Sequence, residues 1–489
     1  MEDTTNGPLI SSSELQKHTT AGDCWIVVHS RIYDVTAFLN EHPGGSAIIL
    51  KYAGNDASKA YDEVHSPSMI HKTLTTEQFK GMIEPSAELP SADTPAETSS
   101  PPDADEIPQL EQLITVHDFE EVARKKYTEK TFAFYSSAAT DLVSHHANLN
   151  SYRQIMLRPR VLRNVKEVKM PRTILGCPSS APFFVSPTAM AKLAHPDGEL
   201  AVARGCGEED IIHIISNNAS FPLGEIVSAG KPGQAFFLQL YVNSERRKTE
   251  ELLREAAGLG IKAVFVTVDA PIPGKREADE RIAAGNLVSA VSGAVAKNDK
   301  KGGGLGRVMA QYIDSTLNWE DLAWIKKVSG LPVVLKGVQT GADARMAMEY
   351  GVDAIMLSNH GGEVSGYVFQ PAIITLLEIH RTCPEIFGRM EIYIDGGIRR
   401  GTDILKALAL GATAVGIGRP YLYSLTYGQE GVEHLTQILK DELVSAMKLS
   451  GITHIDQAHP GMVNTAYVEP LIRGTEAHPW ITWTPQAKL

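Results

Sequence analysis

Eight short runs of β-branched and aromatic residues recur along the greater part of the chain: APFFVSP, DIIHIIS, AFFLQLY, AVFVTVD, PVVLKG, AIMLSN, EIYIDGG and AVGIGRP. Amphipathic helical stretches separate them. Strands that alternate with helices pair in parallel, because the crossover must return each strand to the same end of the sheet, and eight such units close into a (β/α)8 barrel of the α/β class. The rhythm breaks once, between the fourth and fifth runs, where AGNLVSAVSGAVAKNDKKGGGLGR is rich in Gly, Lys and Ala. That stretch reads as a long mobile loop over the barrel mouth.

A chain of 489 residues exceeds what one hydrophobic core sustains, so more than one domain is expected. The boundary is the Pro-, Ser- and acid-rich segment Pro85 to Pro108, PSAELPSADTPAETSSPPDADEIP, which has the composition of a mobile linker. Three parts follow: a small module over 1–84, the linker over 85–108, and a barrel module over 109–489. A net charge of -12 provides no basic field, which argues against nucleic acid and membrane surface as partners. No apolar run reaches the ~20 residues of a membrane helix. MEDTTNGPLI lacks the marks of a secretory or transit peptide, so a cytoplasmic protein is expected. Cys24, Cys177, Cys206 and Cys383 are far apart in sequence and read as reduced, partly buried thiols.

In the small module, CWIVVHSRIYDV alternates as a hairpin does, and FLNEHPGGSAIILKYAGNDASKAYDEVHSP follows it. His42 and His65 are its candidate metal ligands. Pro43 is placed to end the preceding helix, and Gly44 and Gly45, lacking Cβ, let backbone lie close to a flat macrocycle. HPGG with a later His before Ser-Pro resembles the cytochrome b5 family over about Ser12 to Glu84. The resemblance implies haem b with His42 and His65 as axial ligands. With both axial positions filled, such a module passes single electrons and performs no chemistry of its own.

In the barrel module, catalytic groups are expected where strands end. Those ends carry Pro187-Thr188-Ala189, Ser216, Gln239 with Tyr241, Thr267 with Asp269, Lys336, Asn359-His360-Gly361-Gly362, Asp395-Gly396-Gly397 and Gly418-Arg419. The last two groups suit a phosphate, held by glycine-freed backbone N–H groups and a cation.

SPTAMAKLAHPDGE, FFLQLY, TVDAPIPGKREAD, SNHGG, DGGIRRGTDILKALALGA and IGRP together resemble the FMN-dependent 2-hydroxy-acid dehydrogenase and oxidase family, over about Thr115 to Ile455. With the haem module in front, the order resembles the flavocytochrome b2 type of that family. The resemblance implies FMN, a small-molecule substrate, a cytochrome c-like electron acceptor and a homotetramer. It makes His360 the base, Asp269 its orienting partner, Tyr241 the partner of the substrate hydroxyl, and Lys336 the cation beside flavin N1 and the C2 carbonyl. Ser216, Gln239 and Thr267 would bond the isoalloxazine edge, and Pro187, Thr188 and Ala189 would lie against its face. Asp395, Gly397, Arg399, Gly418 and Arg419 would hold the ribityl chain and phosphate.

Two positions depart from the family, and both concern the substrate. Where the family has Arg after His-Gly-Gly or His-Gly-Ala, to grip a carboxylate bidentately, this chain has Glu363. Where it has the first Tyr of a pair, FAFYSSAATD places Phe134. The substrate is therefore expected to be a 2-hydroxy acid or a related hydroxy or amino compound lacking a free carboxylate, with electrons passing from FMN to haem. Two alternatives remain: an L-lactate or glycolate dehydrogenase in which Arg276 at the pocket rim takes over the acid, and a catalytically silent electron carrier.

Overall fold

The computed structural model describes residues 7–39, 41–42, 45–84, 107–283, 285, 287–296, 303–363 and 368–473. Pro43, Gly44 and all of the expected linker except Ile107 and Pro108 lie outside them.

All eight runs form strands, and these close on themselves. They are β1 (Phe183–Val185), β2 (Ile212–Ile215), β3 (Phe236–Leu240), β4 (Val264–Thr267), β5 (Val333–Val338), β6 (Ala354–Leu357), β7 (Glu391–Ile394) and β8 (Ala414–Ile417). Every neighbouring pair is parallel, and β8 returns to β1. Because side chains alternate, each strand divides into two sets, and both are apolar because helices cover the outside. The outward set, including Val264, Val266, Ile355, Leu357, Ile392 and Ile394, joins the main core under the helices. The inward set, Phe184, Ile214, Phe237, Phe265, Val334, Met356, Tyr393 and Ala414, forms a separate plug. Its rings meet edge-on or stacked, Phe265 lying 5.5 Å from Phe237 and 5.9 Å from Tyr393. Gly416 belongs to this inward row. A Cβ there would collide with Ser186 Oγ and come within 2.9 Å of Met356.

The break between β4 and β5 is not featureless where it is described. Leu287–Val288 and Val295–Ala296 form a short antiparallel hairpin, and Ser289 and Ser292 tie it to the residues after β2. Ser289 Oγ donates to the Ala219 carbonyl at 3.2 Å and Ser292 Oγ to Asn218 Oδ1 at 2.6 Å. The Ser and Gly content that reads as loop thus supplies the hydroxyls that fasten this part of the segment.

The N-terminal sheet has five strands in the order Leu9–Ile10, Phe79–Ile83, Arg31–Asp34, Asp23–Val28, Thr19–Thr20. The expected hairpin is Asp23–Val28 with Arg31–Asp34. His29 and Ser30 at its turn both have positive φ, 52° and 63°, as a two-residue turn that matches strand twist requires. All four cysteines are free and buried. Among the described residues, no helix is long and apolar enough to cross a membrane.

The plug carries a stability prediction. Phe265→Ala removes its central ring from a fully buried site and should cost about 3–5 kcal/mol in urea unfolding of the flavin module. A loss below 1 kcal/mol would show that the barrel interior collapses around the gap.

Candidate active site

The alternation that builds the plug also builds the site. Two residues beyond each inward apolar side chain, on the same face, comes a polar residue or glycine: Ser186 after Phe184, Ser216 after Ile214, Gln239 after Phe237, Thr267 after Phe265, Lys336 after Val334, Ser358 after Met356, Asp395 after Tyr393 and Gly416 after Ala414. Another two residues give Thr188, Asn218, Tyr241, Asp269, His360, Gly397 and Gly418. On β5 the step fails, because the β5–β6 register shifts between Lys336 and Val338.

One cavity at this rim collects most of the expected residues. Pro187, Thr188, Ala189, Ser216, Gln239, Tyr241, Lys336, His360, Asp395, Gly397, Arg399, Gly418 and Arg419 line it, as do Phe134, Arg276 and Glu363. Thr267 and Asp269 do not. They line a second cavity beside it, and Thr267 is joined to the first through Gln239. Its hydroxyl accepts a bond from Gln239 Nε2 at 3.0 Å, while Gln239 Oε1 accepts the backbone N–H of Asn217 at 3.0 Å. Thr267 therefore fixes the orientation of the Gln239 amide.

His360 is held at both ring nitrogens, by Asp269 Oδ1 at 2.9 Å from Nδ1 and by the Tyr241 hydroxyl at 3.2 Å from Nε2. Lys336 Nζ lies 3.8 Å from Asp269 Oδ2 and 3.4 Å from Ser358 Oγ. Burial alone would raise the Asp269 carboxyl, but the charges of Lys336 and His360 overcome it and hold the group below its ordinary range. The Tyr241 phenol is pushed up by burial and by the Asp269 charge beside it. Gly337, at φ +109°, is required here, since a Cβ would come 2.7 Å from that of Asp269. The arrangement is an imidazole whose far nitrogen faces a fixed carboxylate and whose near nitrogen faces the cavity through a phenol. It suits proton abstraction, with the carboxylate stabilising the imidazolium that results.

The residues fit a flavin phosphate ester. Ser186 Oγ, Asp269 Oδ2 and Asp395 Oδ1 are buried with no hydrogen-bond partner among the described residues. Two of these residues, Ser186 and Asp395, line the cavity beside a buried Lys336 ammonium. A polar ring edge answers such orphaned atoms, and the buried Arg399 guanidinium at the same cavity answers a phosphate, while the Arg419 guanidinium beside it is bonded to Tyr135, His145 and Glu363. Ser186 and Ser358 were not singled out by the sequence reading, although the period-two step marks both. His145, which accepts a bond from Arg419 Nη1 at 2.9 Å, belongs to helix Val143–Gln154 outside the barrel, and no strand pattern points to it.

Glu363 reaches inward. Its carboxylate accepts from Arg276 Nη1 at 3.1 Å and from Arg419 Nη2 at 2.7 Å. Burial would raise it, yet the two guanidiniums keep it below the ordinary carboxylate range. Arg276 is spent besides on Ser137 Oγ, 3.1 Å from Nε, and on the Phe134 carbonyl, and its guanidinium lies 4.9 Å over the Phe134 ring.

In the small module, His42 and His65 face each other across an apolar pocket lined by Ile26, Val35, Phe38, Ile49, Tyr52, Val64 and Leu74. Their ring centres are 6.1 Å apart. Two metal–imidazole bonds of about 2 Å, with the reach from ring nitrogen to ring centre on each side, sum to roughly that span. Burial, and then the nearby His42, push the His65 imidazole down to about 4, so it is neutral and free to ligate at pH 7. The pocket fits a haem held by both histidines.

Residues 123–465 match the FMN-dependent dehydrogenase family, and residues 11–84 the cytochrome b5-like heme/steroid binding domain. An L-lactate dehydrogenase (cytochrome) of Wickerhamomyces anomalus is 40% identical over 460 residues, covering 92% of this chain and 79% of the relative. The recombinant flavin-binding domain of baker's yeast flavocytochrome b2 superposes with a TM-score of 0.67 at 37% identity, over 78% of this chain and 95% of that one. Mandelate oxidase with (S)-4-hydroxymandelic acid does so with a TM-score of 0.67 at 32% identity, over 72% and 98%.

The paired histidines can be tested by colour. The protein should show a low-spin, six-coordinate haem spectrum that carbon monoxide leaves unchanged, and His42→Ala or His65→Ala should abolish it while FMN content is retained. Loss of both cofactors together would show that the two sites are not independent.

Proposed function

Since the chain belongs to the FMN-dependent dehydrogenase family and carries a cytochrome b5-like domain ahead of it, we propose that it oxidises a 2-hydroxy compound, or an amino analogue, whose carboxyl group is masked or absent. Electrons then pass from FMN to haem b and on to an acceptor of cytochrome type. The division into a haem module (1–84), a connecting segment (85–108) and a flavin module (109–489) goes with this reading.

Bound FMN supplies the acceptor for the two electrons released at the substrate carbon. The chain supplies the rest. His360 takes the proton of the reacting group at Nε2, and Asp269, kept ionised by Lys336, holds the imidazolium that forms. Tyr241, already bonded to His360, orients the substrate hydroxyl on the same side. Lys336 meets the negative charge that grows at the flavin on reduction.

The observation that carries the substrate class is the double ion pair of Glu363 with Arg276 and Arg419. A substrate carboxylate must compete with one that the protein has already placed on those guanidiniums. The tethered group wins by its effective concentration. Two cations already match the Glu363 charge, so the site does not call for a cationic substrate. The corollary for Arg276 is equally direct: it cannot grip an acid while it holds Glu363, Ser137 and Phe134. A second reading, L-lactate dehydrogenase of the cytochrome type, is favoured by the relative so named that matches 92% of the chain.

Anaerobic bleaching of the flavin separates the two. Ethyl L-lactate or L-lactamide should bleach it at least tenfold faster than L-lactate, and Glu363→Arg with Phe134→Tyr should raise lactate activity roughly tenfold or more, each tenfold being about 1.4 kcal/mol. Efficient lactate oxidation by the unmodified protein would establish the second reading instead. With the best of these compounds, His360→Ala should bind FMN normally yet slow flavin reduction by roughly 10²–10⁴. A near-normal rate would remove His360 from the chemistry.

A further inference from the structure

The haem-side histidine and the flavin-side wall are joined by bonds that neither cofactor site explains. His65 ends the helix Ser58–Val64, and its carbonyl accepts a hydrogen bond from Lys192 Nζ of the barrel module. The next turn is fastened as well. Ser66 Oγ donates to Glu225 at 2.9 Å, and Ser68 Oγ donates to the same carboxylate. These groups are not incidental surface. Ser66 is 0% exposed and Lys192 only 8%, with its ammonium 5.2 Å over the Phe221 ring. A lysine so placed sacrifices hydration, and a backbone carbonyl and a π face are what it receives in return.

Lys192 is three residues past Ala189, which lines the flavin cavity. The backbone between is rigidly held. Met190 N–H donates to the Asn218 carbonyl at 3.0 Å, Ala191 N–H to Glu199 at 3.0 Å and Lys192 N–H to Ser220 Oγ at 3.1 Å. A second link runs beside it. Val288, on the hairpin fastened to Asn218 and Ala219, closes part of the His42–His65 pocket.

We propose that Lys192 and Glu225 are positioning residues for electron transfer, holding the segment His65–Ser68 against the wall of the flavin site. The bonded route is then short: Ala189 to Lys192 along the chain, one hydrogen bond, and the His65 carbonyl. Each passage moves one electron from reduced flavin to ferric haem. The two electrons of one substrate oxidation leave in two passages, and a one-electron acceptor of cytochrome type returns the ferrous haem to ferric. The proposal rests on the flavin-to-haem reading above.

Flash photoreduction with 5-deazariboflavin and EDTA, which needs no substrate, tests it in the full-length holoprotein. Wild type should show haem reduction following flavin reduction within the same molecule, at a rate independent of protein concentration. Lys192→Met and Glu225→Gln should each slow that phase at least tenfold at unchanged FMN content and haem spectrum, while Lys192→Arg, which keeps the donor, should restore most of it. Should Lys192→Met lose FMN, Ser66→Ala with Ser68→Ala decides, because both lie on the haem side. Wild-type rates in those variants would overturn the latch. Absence of the phase in wild type would overturn the flavin-to-haem reading on which it rests.

Discussion

A parallel sheet that closes on itself has one inside, and every strand end arrives at the same rim. Closure fixes which residues can meet, because a side-chain period of two leaves each strand only one face toward the axis. From Phe184, Phe237, Phe265, Met356 and Tyr393 in the plug, the chain continues along the same face to Ser186, Gln239, Thr267, Ser358 and Asp395 at the mouth. The dry layer and the reactive layer are successive storeys of one column. Neither can shift by one residue without exchanging places with the outer, helix-facing set.

That constraint is why so much was legible in the sequence. The eight runs, the hairpin at residues 23–34 and the histidine pair follow from local patterns whose reach is one element. Strand ends could be read in the same way, and most of the polar residues found there do share one cavity. Depth was not legible. Thr267 and Asp269 stand at strand-end positions like their neighbours, yet they line a second cavity beside the first, since a parity count says which way a side chain points and nothing about how far a cavity extends. Long-range partners were also out of reach. His145 comes to Arg419 from 274 positions away, and only the packing of a helix outside the barrel brings it there.

Glu363 shows the same limit in its charge. As a letter in SNHGGE it stands for an inverted sign and implies repulsion of an acid. In the fold its carboxylate is already matched by two guanidiniums, so on the proposed reading an acid would meet occupied cations and not a bare charge. Arg276 and Arg419 are thereby drawn into one network with Phe134, Ser137, Tyr135 and His145. A change at any one of these positions alters how firmly the carboxylate is held.

The turn after β6 has a consequence of another kind. His360, Gly361 and Gly362 all adopt positive φ, 57°, 63° and 83°, and only the glycines do so without penalty. A non-glycine residue held there costs of order 1–3 kcal/mol. The backbone bend that aims the imidazole at Tyr241 and the cavity is therefore opposed by the fold's own conformational preference. Mutational drift judged by thermal stability alone would move position 360 toward glycine or asparagine and relax the loop. On the proposed reading, stability and turnover pull position 360 in opposite directions, and a residue that settles the loop would be expected to cost chemistry.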